Sequence, residues 1–242
     1  MSNKTKKLVK RIVITVLIVL AAAGLFTLIN RFFGNPVSYY LARRAANNFT
    51  ASEFSGDGYE IADTYFNRDS RRYTVKVAVP GSADRYFTVF CDMLGKVTGD
   101  TSHCVKNGEN TWIRLDEDFD RLVSAPLASF AHENSTAFGE IRLLEEYAGR
   151  VGMEYGIETK SLTPDMEYDL REYAEKAGTV VVSVWGEEVS EAHAAEILRE
   201  IRTLLDETGV PFHAVDLSLK YKEKPSDKDI VMIGITRDEI GE

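Results

Sequence analysis

The chain is poor in the residues from which most catalytic and metal sites are built. Its 242 residues include two cysteines and four histidines. The histidines, His103, His132, His193 and His213, offer no pair at the i, i+4 spacing that sets two imidazoles on one helical face, and the cysteines form no Cys-x-x-Cys clamp. A Gly-x-Ser-x-Gly elbow, a phosphate-cradling glycine loop ending in Lys-Ser/Thr and a dinucleotide fingerprint are all missing, so the common hydrolase, nucleotide and dehydrogenase readings have no motif to stand on. No catalytic, cofactor-binding or metal-ligating residue is nominated. There is also no repeat of fixed period, which argues against a solenoid or propeller.

Acid is plentiful but unpatterned. Asp116 to Asp120 and Glu187-Glu188 lack the alternating oxygen ligands and glycine turn of a calcium loop, and read as solvated faces. Glu191, His193 and Glu196 read as the acidic first turn of a helix. Cys91 and Cys104 are the one pair able to form a disulfide. The segment between them reads as a hairpin turning at Met93-Leu94-Gly95, which leaves the two several positions out of register.

Charge is divided unevenly along the chain. Residues 1–31 hold six of the 29 Lys and Arg and none of the 38 Asp and Glu, so the remainder carries a net charge of −15. That excess repels phosphate-rich polymers and argues against a nucleic-acid partner. From Ile12 to Ile29 the chain is uncharged (IVITVLIVLAAAGLFTLI), flanked by Lys4, Lys6, Lys7, Lys10 and Arg11 before and Arg31 after. The length predicts a single transmembrane helix, and the charge bias an N-terminus in the cytoplasm with the rest outside. The lipid bilayer is then the first expected partner, through Ile12 to Ile29, and the expected location is the cell membrane. The small residues Ala21-Ala22-Ala23 keep a cleaved signal peptide as the alternative.

Beyond the anchor the pattern is α+β. Asn35-Pro36 opens a helix over 37–51 whose Val37, Leu41, Ala45 and Phe49 recur every four residues. Strands follow at 59–66, at 73–79 with strict alternation, at 86–92 and at 96–101, giving a helix with a four-stranded antiparallel sheet. A second helix starts near Asn110, with Trp112, Leu115, Phe119, Leu122 and Val123 on one face, Asp116 and its acidic neighbours on the other, and Pro126 near its end. The stretch Phe138 to Glu158 is ambiguous, and Gly139 to Leu144 within it reads as a strand. Thr163-Pro164 predicts a helix start, ending at Gly178. A strand at 179–184, a helix capped by Ser190, and strands at 213–219 and 230–235 give a βαββ order suited to an open α/β sandwich. The expected domains are 1–34 (tail and anchor), 35–107 (an α+β module) and 108–242 (a second α+β module).

The helix Asn35-Pro-Val-Ser-Tyr-Tyr-Leu-Ala-Arg-Arg-Ala-Ala, the strand Tyr73-Thr-Val-Lys-Val, and the stretches Asn110-Thr-Trp-Ile-Arg-Leu-Asp and Asp165-Met-Glu-Tyr-Asp-Leu together resemble the YfjL-like proteins. That resemblance implies a single-pass protein of a Gram-positive bacterium and brings no catalytic motif with it. Separately, Tyr86-Phe-Thr-Val-Phe-Cys-Asp-Met-Leu-Gly-Lys-Val is similar to the hairpin of PepSY-like modules, which implies protease inhibition or regulation of envelope enzymes. The functional expectation is a membrane-tethered, extracytoplasmic interaction or regulatory protein, not an enzyme, that binds an envelope or membrane protein. Tyr65, Tyr86 and Phe90 are its expected interaction surface. The alternatives are an envelope enzyme with an unidentified carboxylate site and a structural or sensor protein.

Overall fold

The computed structural model describes residues 3–130, 132, 134–144, 155–221 and 229–241, without the side chains of 3–9, 23, 26–29, 31 and 32. The chain divides into two compact units, Met1–His103 and Cys104–Glu242.

The first unit starts with α1 (Asn3–Phe33) and α2 (Pro36–Glu53). Among the described residues no helix is long and apolar enough to cross a membrane. Side chains 26–29, the end of the expected span, lie outside the described residues. This corrects the transmembrane helix, the bilayer as a partner through Ile12 to Ile29, and the single-pass cell-membrane location.

Asn35 caps α2 by accepting the Ser38 N–H at 2.8 Å, with Pro36 at the first helical position. Its buried stripe is Ser38, Ala42, Ala46 and Thr50, one residue on from the expected Val37, Leu41, Ala45, Phe49. Small side chains let the helix axis close on the sheet, and Val37 is left exposed. The sheet is β1 (Glu60–Asn67), β2 (Arg72–Ala78), β3 (Tyr86–Cys91) and β4 (Val97–Asp100), antiparallel in the order β1-β2-β3-β4. Alternation sends Tyr73, Val75, Val77, Phe87, Val89 and Cys91 into the core. Phe87 stacks on Phe54 at 5.0 Å and meets Phe49 edge-on at 6.2 Å. At the β3–β4 turn Gly95 has φ +78°, and a Cβ there would lie 2.8 Å from that of Leu41, so both backbone and helix packing select glycine.

The second unit begins within α3 (Ser102–Lys106), a short helix that the sequence pattern did not announce. Then come α4 (Glu109–Leu127), β5 (Ser135–Ile141), a 3₁₀ turn at Thr159–Ser161, α5 (Leu170–Ala177), β6 (Gly178–Gly186), α6 (Glu191–Thr208), β7 (Ala214–Tyr221) and β8 (Ile230–Thr236). The sheet order is β5-β6-β7-β8. The β6–β7 pair is parallel, bridged by α6 as such a crossover requires, and the other two pairs are antiparallel. Ser190 caps α6 by accepting the His193 N–H, and Gly209 ends it at φ +69°. The expected helix start at Thr163-Pro164 is instead a turn. Asp165 sits at φ +61° and the Met166 N–H bonds back to the Thr163 carbonyl, so α5 begins only after its cap Asp169. The core joins Leu115, Phe119 and Val123 of α4, Val180 and Val182 of β6, Ile197, Ile201 and Leu205 of α6, and Leu217 and Leu219 of β7.

Candidate interaction surface

With α2 on one face of the first sheet, the alternate residues of each strand face away from the helix. Tyr65 of β1 pairs with Thr74 of β2, Thr74 with Phe90 of β3, and Phe90 with Gly99 of β4. One row therefore crosses all four strands, with Tyr65 and Phe90 two strand spacings, roughly 10 Å, apart. Thr74 is buried between them although it lies on the outer face. The Lys76 ammonium lies 5.8 Å from the Tyr65 ring centre. Tyr86 pairs with Ala78, further along the same face. Tyr65 is 43% exposed and Tyr86 41%, while Phe90 is half-buried.

Tyr65 also borders a cleft of about 430 Å³ lined by Phe33, Gly34, Asn35, Tyr39, Phe66 and Tyr73. Its floor is fixed. The Tyr73 hydroxyl accepts the Asn35 N–H at 2.7 Å and donates to the Asn35 carbonyl at 2.8 Å. Gly34, at φ +70°, is in contact with that hydroxyl, and a Cβ there would overlap it. Cys91 lies on the helix side of the sheet, with its thiol directed at the Ala42 carbonyl and pushed up to about 11 by burial and then by Asp92. Cys91 and Cys104 are both free thiols.

In the second unit the polar groups are spent on structure. His132 pairs with Glu200 at 2.8 Å, His193 lies 3.7 Å from Glu196, and His213 meets the Glu175 carbonyl at 3.0 Å. Arg142 is buried against Asp216 and Glu140. From α4, Trp112, Asp116 and Asp120, spaced i, i+4, i+8, line the outer edge of β5. The Trp112 indole donates to the Ile141 carbonyl at 2.8 Å, Asp116 accepts the Ile141 N–H at 2.6 Å, and Asp120 accepts the Gly139 N–H at 2.9 Å. The acidic face expected to be solvated is thus partly a clasp. Burial, and then Glu140, Asp120 and Glu117, push the Asp116 carboxyl up to about 6 against the pull of that Ile141 bond. A cleft of about 510 Å³ is lined by Glu109, Trp112, Ile113, Leu143 and Lys160.

The family model for the YfjL-like N-terminal domain matches residues 6–101, and that for the YfjL-like C-terminal domain matches residues 131–242. The chain belongs to the YfjL-like family. Searches of curated proteins and of solved structures returned no match. In this YfjL-like chain the family match thus spans both sheets and carries no named site. In sequence Tyr65, Tyr86 and Phe90 were legible singly, as aromatics within strands, and not as one exposed face. The α4 clasp was not, because a carboxylate aimed at a strand edge looks, in sequence, like one aimed at water.

Proposed function

We propose that this YfjL-like chain is a protein-binding, regulatory module rather than an enzyme, and that Tyr65, Tyr86 and Phe90 form its docking face. The observation that carries the reading is the row Tyr65, Thr74, Phe90 on the sheet face opposite α2. Large aromatics bury much area at little entropic cost, which suits a hot-spot cluster. Lys76 beside Tyr65 fits a partner surface that is apolar with a carboxylate at its rim. The hairpin from Tyr86 to Val97 adds support through its PepSY-like pattern, since such modules are associated with inhibiting proteases or regulating other enzymes. The test is photo-crosslinking in cells from a probe at position 65 of the full chain, followed by binding of the purified captured protein. Tyr65→Ser and Phe90→Ser should each weaken that binding about ten-fold or more, with the thermal unfolding of the chain unchanged. Equal binding by both variants would refute the docking face.

A further inference from the structure

A sheet edge exposes a row of backbone donors and acceptors, and proteins blunt edges with charge, bulges, short strands or a cover. Three of the four edges here are blunted. β1 carries Glu60 and Asp63 with a bulge between Ile61 and Asp63. β4 has four residues and ends in Asp100. β5 is clasped by Trp112, Asp116 and Asp120 of α4. The remaining edge, β8, reads Ile-Val-Met-Ile-Gly-Ile-Thr, without charge or proline. Among the described residues β7 is the one strand paired with it. Ile230 and Met232 pack on the core, whereas Val231 is 57% and Ile233 52% exposed.

We propose that β8 is where two copies of this chain pair, antiparallel and about a two-fold axis, to continue the sheet across both. A strand added here must be apolar at successive positions, because one of its faces extends the core layer and the other meets Val231 and Ile233. β8 itself meets that demand. β1 with Glu60 and Asp63, and β7 with Asp216 and Lys220, do not. Antiparallel pairing of a strand with its own copy is self-complementary, as a two-fold interface requires. The second unit holds 30 Asp and Glu against 15 Lys and Arg, but none lies within β8, so like charges are not forced together at the seam. The bulge at Gly234, φ +68°, confines regular pairing to Ile230 through Ile233. So short a seam gives a weak, concentration-dependent dimer.

The test uses the full chain in sedimentation velocity over a concentration series, with amide hydrogen exchange on the same samples. The expected result is a monomer–dimer equilibrium, with exchange at Val231 to Ile233 slowing about ten-fold or more as concentration rises. Val231→Lys and Ile233→Lys should each abolish the dimer while keeping the wild-type circular dichroism spectrum. Should either fail to fold, the wild-type exchange data decide alone. Exchange at these amides that does not change with concentration overturns the proposal. So does association that persists in the folded lysine variants, the outcome if the exposed Leu17, Ile18 and Leu20 of α1 drive self-association instead.

Discussion

Neutralising Asp116 should stabilise the second unit at neutral pH, although Asp116 makes one of the shorter hydrogen bonds in it. Its carboxyl is raised from 3.8 to about 6 in the folded chain, so between about pH 4 and pH 6 the folded state holds a proton that the unfolded state has released. Stability therefore falls as pH rises through that window and stays lowered above it. A shift of about two units corresponds to roughly 3 kcal/mol at 1.36 kcal/mol per unit, and partial solvent access reduces this to about 1–2 kcal/mol. Asp116→Asn keeps an oxygen to accept the Ile141 N–H and removes the charge facing Glu140, Asp120 and Glu117. It should gain about 1 kcal/mol at pH 7, little at pH 4, and flatten the difference between the two. Asp116→Ala strands the Ile141 N–H and should cost about 1–3 kcal/mol at pH 4. Urea unfolding of the three proteins at pH 4, 5, 6 and 7 reads these differences. An Asn variant as destabilised at pH 7 as the Ala variant, or with the wild-type pH dependence, would refute the reasoning.

Three further outcomes follow from the packing. Gly34→Ala adds a side chain at φ +70° against the Tyr73 hydroxyl and should lower stability by about 1–2 kcal/mol, measured by denaturant unfolding. Cys91, buried with its thiol pushed up to about 11, should resist a thiol reagent at pH 8 in the folded chain while the partly exposed Cys104 reacts; comparable labelling rates would contradict this. Ser190→Ala removes the side chain that accepts the His193 N–H at the start of α6 and should cost about 1 kcal/mol, read by the same unfolding assay.

Most elements of both sheets were legible because their signals are local. Alternation in 73–79 places Tyr73, Val75 and Val77, and Ser190 with Gly209 marks both ends of α6. The misreadings come from tertiary context. The α2 stripe shifted by one residue because Ser38, Ala42 and Ala46 allow a closer approach to the sheet than Leu41 and Phe49 would. Thr163-Pro164 has the composition of a helix start, yet the chain turns there through Asp165. The uncharged run from Ile12 suggested a span that no described helix provides. On the outer face, Tyr65 and Phe90 were identifiable singly, but the register that joins them through Thr74 belongs to the sheet.

The central claim, that Tyr65, Tyr86 and Phe90 dock another protein, is tested most directly by titrating the protein captured at position 65 against the wild-type chain and its Tyr65→Ser and Phe90→Ser variants. The account predicts a loss of affinity of about ten-fold or more in each variant, about 1.4 kcal/mol, with unfolding midpoints unchanged. A probe that captures no protein, or a captured protein that binds all three chains equally, would contradict it.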